Sequence, residues 1–362
     1  SGYIQHVDFT DDCSSDLRNA FMEMKNTGKL KALVLDYRNN GGGILQEAVK
    51  ILSMFVPKGT EVVSMRGRSG ESNAVFKTET EPIDLQIPII VLTNSGSASA
   101  AEIVSGALQD LDHAVLVGQR TFGKGLVQGT RPVGFNSYLK VTTAKYYLPS
   151  GRLIQAIDYA HRNEDGSVSS VPDSLVKEYK TAGGRSVYDG GGVMPDIKVA
   201  ADYISRFTLI TYAKGYLEDF AELYAKKYPS PVDVRNFALS EADWKWFVDF
   251  MQDKNVEFQS ETATALTTLK EKAERERYID QIQSSIDAIE KGLKDDKNGN
   301  LQLYRDQLTE LIEDNIVMRH HYQQGVTEHN LTRDEEIARA VELLGEPGRY
   351  RQIVTSQDTE RK

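Results

Sequence analysis

The sequence lacks several features that mark common protein classes. Cys13 is the single cysteine in 362 residues, so no disulfide can form within the chain, and this leaves the compartment open. Acidic residues outnumber basic residues, which gives a formal net charge of −10, and no basic patch with interleaved aromatic residues occurs. This balance argues against nonspecific nucleic-acid binding. No apolar run approaches the roughly 20 residues of a membrane-spanning helix.

Apolar residues make up 40% of the chain, which is enough for two domains with substantial cores. Residues 89–92 form an apolar run typical of a buried strand, and the turn formers of residues 93–96 follow it. Apolar positions at helical spacing then predict a helix over residues 100–108. Ser97 and Ser99 therefore lie where a strand turns into a helix.

A serine at such a junction can serve in two ways. Most serines there cap the helix. The unpaired N–H groups and the dipole of a helix amino end also suit the negative charge that develops in acyl transfer. Lys124 follows the predicted strand of residues 114–117 and lies between Gly123 and Gly125, so little would shield it. It is a candidate base for the serine, because serine–lysine pairs are an established alternative to the serine–histidine–aspartate triad.

Two motif matches do not hold. Residues 118–124, GQRTFGK, match a P-loop, but Gly125 replaces the Ser or Thr that would bind magnesium, and a strand rather than a helix is predicted next. Residues 174–177, SLVK, match the S-x-x-K motif of penicillin-recognising enzymes, but no accompanying S-D-N or K-T-G is found.

The segment SASAAEI at residues 97–103 and the segment TFGKG at residues 121–125, with Gln128 beyond them, resemble the carboxy-terminal processing, or tail-specific, serine peptidases. The spacing of serine and lysine also matches that family. The resemblance implies Ser99 as nucleophile, Lys124 as general base and Gln128 as the residue that orients the lysine. A base must be a neutral lysine, which requires an apolar pocket to close around Lys124, because burial favours the neutral form.

The resemblance extends over residues 2–200. Residues 36–43, DYRNNGGG, resemble the family's D-L-R-x-N-x-G-G segment, and TTAKYYLPSGR at residues 142–152 reproduces another. By this likeness, one backbone N–H of Gly42 or Gly43 forms an oxyanion hole with that of Ala100. Family members usually carry a leader or anchor and a PDZ domain upstream, and neither is visible here. We therefore expect a truncated or processed form, placed in the periplasm or cell envelope by the resemblance.

Beyond residue 201 the composition changes to amphipathic helices with little glycine, which predicts an all-α domain over residues 201–362. Ser240 and Thr332 are predicted to begin helices as capping residues, and residues 297–300 to form a connector. Five apolar residues, Trp244, Trp246, Phe247, Phe250 and Met251, are predicted to form core. His320 and His321 are adjacent, so they would not face one metal ion.

The sequence thus predicts an α/β fold, with a ClpP/crotonase-like core over residues 1–200 and a helical domain after it. The predicted function is hydrolysis of peptide bonds near the carboxy termini or in unfolded segments of proteins, through an acyl-enzyme, without metal, cofactor or nucleic acid. The helical domain could mediate homo-oligomerisation or bind an adaptor. Two alternatives stay open: an inactive peptide-binding scaffold, and a crotonase-like acyl-CoA enzyme in which the serine–lysine pair has no explanation.

Overall fold

The computed structural model describes residues 1–68, 70–162, 168–171, 173–293 and 297–355. The chain divides into two compact units. The first combines Ser1–Ala201 with the segment that begins at Glu335, and the second comprises Asp202–Asp334.

The first unit is built on a parallel sheet of five strands in the order β1-β2-β5-β6-β13. These are β1 (Gly2–Gln5), β2 (Leu33–Asp36), β5 (Ile89–Thr93), β6 (Ala114–Gly118) and β13 (Ile197–Lys198). The three central strands are apolar along their length and buried on both faces, as expected of a parallel sheet covered on each side. Their carboxyl ends meet at one edge of the sheet, where the loops that carry the motifs begin.

Three helices cover one face of this sheet: α1 (Cys13–Asn26), α2 (Leu45–Leu52) and α3 (Ala100–Asp110). Their core includes Phe21, Ile51 and Val104, packed with alternate residues of the central strands such as Leu35 and Val91. The predicted strand-turn-helix unit around residue 99 is therefore confirmed.

The other face is covered by the last two helices, α11 (Glu335–Gly345) and α12 (Pro347–Thr355), which contact β5 and β6. Residues of this face, such as Ile90 and Val115, are fully buried. The sequence analysis assigned residues 335–362 to the helical domain. The structure groups residues 335–355 with the first unit instead, since α11 and α12 pack on the sheet.

An antiparallel sheet of four strands, in the order β4-β3-β8-β7, completes the unit. Its strands are β3 (Glu61–Gly67), β4 (Ala74–Lys77), β7 (Leu126–Gly134) and β8 (Ser137–Tyr147). Two short pairs follow: β9 (Ile157–Arg162) with β10 (Val168–Ser170), and β11 (Glu178–Lys180) with β12 (Ser186–Tyr188). The polar stretch of residues 66–81 thus contains β4, which pairs with β3 as one arm of a hairpin.

Two fully buried arginines fasten these segments to the end of α3. The Arg152 guanidinium lies 2.8 Å from Asp110, and that of Arg185 lies 2.8 Å from Asp112 and 3.1 Å from Asp196. Each charge is paired, as burial requires.

The second unit is helical: α4 (Arg206–Ala213), α5 (Tyr216–Lys227), α6 (Glu241–Phe250), α7 (Glu261–Glu276), α8 (Ile279–Gly292), α9 (Lys297–Leu303) and α10 (Arg305–Asn330). Phe220, Phe247 and Ile312 lie in its core. The predicted cap at Ser240 is confirmed, because its hydroxyl accepts the Asp243 N–H.

Two local predictions for this region were wrong. The expected connector at residues 297–300 is the first turn of α9, and Thr332 does not cap α11 but donates to the carbonyl of His329. The predicted aromatic core around Trp244 is confirmed, with Trp246 and Phe250 partly buried. The fold class, an α/β core followed by helices, is confirmed as well.

Candidate active site

Ser99 occupies the sharp turn between β5 and α3. Its φ of 57° and ψ of −114° are unusual for a residue with a side chain, and such strain persists only where neighbouring contacts enforce it. The backbone here reverses from strand to helix within a few residues, which leaves Ser99 partly exposed at the helix amino end. This is the placement of a nucleophile on a strained strand-to-helix elbow.

Ser97, the other serine of the motif, has a structural role. It is fully buried, its hydroxyl donates to the Tyr37 carbonyl at 2.8 Å, and the same oxygen accepts the Asn94 N–H at 2.9 Å. Both capacities of the hydroxyl are thus used in tying the turn to the loop after β2. Of the two serines that the sequence placed at this junction, only Ser99 remains accessible for chemistry.

The glycine-rich loop after β2 lies directly against this elbow. A Cβ atom added to Gly42 would lie 2.7 Å from Ser99 Cβ and 2.5 Å from the Ala98 carbonyl oxygen, and the residue has a φ of +87°. Only glycine fits such a position. The Ala98 N–H donates to the Asn40 carbonyl at 2.9 Å, which fixes the two loops together.

The backbone donors near Ser99 differ in availability. The Gly42 N–H donates to the Asn40 side-chain oxygen at 2.8 Å. Within the described residues, no acceptor is found for the N–H of Gly43 or for that of Ala100, the first residue of α3. Two donors on the loops that meet at Ser99 are therefore free to bind an oxygen atom.

Lys124 lies in the loop between β6 and β7, and its side chain is exposed. Across the described ranges, no hydrogen bond joins Ser99 Oγ to Lys124 Nζ. The apolar pocket that a neutral Lys124 requires is therefore not closed around it in this structure. The structure brings the backbones of the two loops together but leaves the amine in solvent.

Glu102 is what holds these two loops in register. Its buried carboxylate accepts four hydrogen bonds: Oε2 accepts the N–H of Ser99 at 2.9 Å and of Lys124 at 2.8 Å, and Oε1 accepts the N–H of Gly123 at 2.7 Å and the Thr121 hydroxyl at 2.5 Å. Burial raises the pKa of Glu102, although the four donors oppose this shift. One side chain thus positions both the serine and the lysine segment.

Sequence reasoning quoted Glu102 within the motif but assigned it no role. The signal that could have identified it is the S-x-x-E spacing of a capping box, in which the glutamate reaches back to the N–H of the residue before the helix. Its bonds to the loop of residues 121–124 could not be read from spacing, because that loop follows another strand.

Gln128 lies on β7 and is exposed. The pairing of β7 with β8 shifts by one residue between Val127 and Gln128, which is a β-bulge. Bulges redirect side chains and are frequent beside active sites. The role of Gln128 in orienting Lys124 stays a prediction.

In the part of the chain that the structure describes, no group of three or more His, Cys, Asp or Glu side chains is arranged to hold a metal ion. In that same part, no helix has the length and apolar character to span a bilayer.

Comparison with known proteins gives a match for each half of the chain. Residues 1–160 match the family model of peptidase family S41, and residues 207–344 match the model of the C-terminal helical domain of a probable PDZ-protease. A carboxy-terminal-processing protease from Bartonella bacilliformis is 46% identical over 159 residues, 43% of this chain and 36% of the relative. A probable CtpA-like serine protease from Staphylococcus haemolyticus is 29% identical over 293 residues, 80% of this chain and 50% of the relative.

Among solved structures, the photosystem II D1 C-terminal processing protease is similar, with 29% identity and a TM-score of 0.42. The match covers 54% of this chain and 42% of that one. The chain spans half or less of the length of each curated relative named here.

Proposed function

Because residues 1–160 belong to peptidase family S41, we propose that the chain is a serine endopeptidase that cleaves proteins near their carboxy termini or in unfolded segments. The observation that carries the proposal is the shared carboxylate of Glu102, which binds the backbones of Ser99 and Lys124 at once. A serine that only capped a helix would need no link to a lysine on another loop.

In the proposed reaction, Ser99 Oγ attacks the carbonyl carbon of the scissile peptide bond while neutral Lys124 takes the hydroxyl proton. The carbonyl oxygen becomes an oxyanion, which the N–H groups of Gly43 and Ala100 stabilise. We choose Gly43 over Gly42 because the Gly42 N–H already donates to Asn40. The amine product leaves with a proton from Lys124, and the lysine then activates the water that hydrolyses the acyl-enzyme.

The exposure of Lys124 requires one further step. A lysine acts as a base only in its neutral form, which removal of water favours. We propose that the bound substrate covers the loop of residues 123–125 and removes water from the lysine, which favours its neutral form. Gln128, on the strand that follows this loop, would then fix the amine towards Ser99.

The resemblance of the motifs to tail-specific peptidases, together with the bacterial relatives, leads us to propose a location in the periplasm or cell envelope. The helical unit, which matches a domain of a probable PDZ-protease, is proposed to help hold substrate, to assemble copies of the chain or to bind an adaptor.

The test is degradation of an unfolded protein by the parent chain and by folded Ser99→Ala and Lys124→Ala variants. Ser105→Ala is the matched control, because it removes a buried hydroxyl from the same helix, one that donates to the backbone carbonyls of Ala101 and Glu102. We expect cleavage by the parent and the control and none by the other two. An acylating peptide probe should label the parent at Ser99.

Each alternative has its own outcome in this test. A parent that binds unfolded protein but neither cleaves it nor takes up the probe would be a scaffold. Cleavage that persists at the parent's rate in either dyad variant would show that the substituted residue has no catalytic role.

A further inference from the structure

The second residue of α11, Glu336, lies between the two loops that carry the proposed chemistry. It is 8% exposed, and its two carboxylate oxygens have different partners. Arg38 Nη1 donates to Oε2, and Gln119 Nε2 donates to Oε1 at 3.1 Å. One buried carboxylate on the last segment of the unit therefore joins two parts of the chain that are 81 residues apart in the sequence.

Arg38 belongs to the loop that follows β2 and leads to Gly43. Its guanidinium is held by Asp36, with Nε 3.0 Å from both carboxylate oxygens, and Asp36 accepts the Tyr3 hydroxyl at 2.7 Å. The arginine is therefore fixed to the end of its own strand before it reaches Glu336. A shift of Glu336 would be passed to the loop through a rigid group.

Gln119 begins the other loop, which follows β6 and leads to Lys124. Its backbone is fixed to the end of β5, since its N–H donates to the Thr93 carbonyl at 2.8 Å and its carbonyl accepts the Thr93 hydroxyl at 2.9 Å. The sheet order is β2-β5-β6, so Glu336 joins the outer two of these strands across the end of the strand that leads to Ser99.

We propose that Glu336 is a positioning residue for the reaction at Ser99, holding the oxyanion loop and the lysine loop at a fixed separation. The inference rests on the proposed peptidase function. Its physical basis is that oxyanion donors and base must be placed within a fraction of an ångström, and that a buried carboxylate with two donors on separate loops restricts both.

The first test variant is Glu336→Gln, which keeps the size of the side chain and leaves the buried face of α11, including Ala340 and Leu343, unchanged. An amide has a single acceptor oxygen, so one of the two loops loses its acceptor. With the intact chain and a fluorogenic peptide, we expect kcat to fall by about tenfold to about a hundredfold, because small misplacements of reacting groups reduce rates to this extent. KM should stay within about twofold, because Glu336 is not placed to touch substrate.

Tyr350→Phe is the matched control for loss of a buried polar contact in the same segment. The Tyr350 hydroxyl bonds the N–H and the carbonyl of Ile89, both at 3.0 Å, at the start of β5 and thus at the end of the strand away from Ser99. We expect this variant to unfold at a lower temperature with kcat unchanged. If Glu336→Gln acts only through stability, the two variants will behave alike, and the proposal is overturned.

Two further measurements decide whether Glu336 acts through the loops. In a double-mutant cycle, Gln119→Met and Glu336→Gln should be non-additive in kcat, since both change the contact between residues 119 and 336. Hydrogen exchange of the amides in residues 38–43 and 119–124 should be faster in Glu336→Gln than in the parent. Additive losses together with unchanged exchange would refute the positioning role.

The exchange measurement also separates this proposal from the peptidase proposal. Faster exchange in both loops of a chain whose parent does not cleave would mean that the proposed function fails, and with it the catalytic purpose of the contact. Cleavage by the parent with unchanged exchange and unchanged kcat in Glu336→Gln would overturn the role of Glu336 alone.

Discussion

Replacing Glu102 by glutamine tests the central feature of the site, the carboxylate that accepts four hydrogen bonds from two loops. Glutamine retains one oxygen and turns an NH₂ group towards donors. Two of the four donors therefore lose their acceptor, and each buried donor left unsatisfied costs about 1–3 kcal/mol, or about 2–6 kcal/mol together. If about 1.4 kcal/mol of this cost is added to the free energy of the transition state, the rate falls tenfold.

Stability should change less than activity in this variant. Because burial raises the pKa of Glu102, the folded protein binds its proton more tightly than the unfolded chain does. Protonated Glu102 therefore contributes to the stability of the fold below its pKa in the unfolded chain, and this contribution is lost as the pH rises through its pKa in the folded protein. Ionised Glu102 is thus destabilising at neutral pH. Glutamine removes this cost, which offsets part of the lost hydrogen bonding.

The assay is kcat/KM for a fluorogenic peptide as a function of pH, beside chemical unfolding of the same samples. We expect Glu102→Gln to lower kcat/KM by about tenfold to about a hundredfold. The parent should also lose activity at acidic pH when Glu102 takes up a proton and becomes a donor among donors, whereas the variant should lack that loss.

Glu313→Gln is the control, because Glu313 is also buried and accepts a backbone N–H, that of Leu239, but lies in the helical unit. It should lose stability, because Leu239 N–H and Arg333 lose their carboxylate partner, and keep the parent's activity. If Glu102→Gln retains the parent's kcat/KM and acid limb, the reasoning about the shared carboxylate is refuted.

Three further outcomes are expected. Burial lowers the pKa of His6, so the parent should lose stability as the pH falls below about 6.5, with His6 contributing a slope of up to about 1.4 kcal/mol per pH unit. His6→Phe should have a shallower slope in urea unfolding at pH 7.5 and 5.5, since His113, whose pKa burial also lowers, keeps its share; identical slopes would contradict the assignment. Ser97→Ala should lower the free energy of unfolding by about 1–3 kcal/mol, because the Asn94 N–H loses its acceptor. An acylating probe should still label Ser99 in this variant. Loss of labelling in the folded variant would reopen the choice of serine. Gly42→Ala should abolish labelling of Ser99, because its Cβ would lie 2.7 Å from Ser99 Cβ; normal labelling would show that the loop moves freely.

Local pattern was enough to predict the elements that carry the motifs. The apolar run of β5, the turn formers after it and the helical spacing of α3 all lie within one stretch of chain, so the position of Ser99 followed from the sequence alone. The same holds for the strand before Lys124 and for the serine cap of α6.

The contacts that complete the site could not be predicted because they join distant segments. An S-x-x-E spacing indicates that Glu102 reaches the Ser99 N–H, but nothing in it indicates that Gly123 and Lys124 lie within reach of the same carboxylate. The exposure of Lys124 likewise depends on what packs beside the loop, which the flanking glycines alone do not determine.

The amphipathic pattern of α11 and α12 showed that they bury one side but not what they bury it against. Continuity with the preceding helices therefore suggested the wrong neighbour for these two elements. Tyr350 and Glu336 meet residues more than 200 positions earlier in the chain, and a pairing at that separation leaves no trace in local periodicity.

The return of the last helices to the parallel sheet also has a consequence for the order of events during synthesis. A ribosome makes residues 1–201 first and Asp202–Asp334 next, and the helices that bury the second face of the sheet emerge last. A nascent chain therefore holds all the residues proposed for catalysis long before the sheet beneath them can close. The proposed peptidase would thus complete its fold only after translation has passed the helical unit, so that cleavage begins after α11 and α12 have been made.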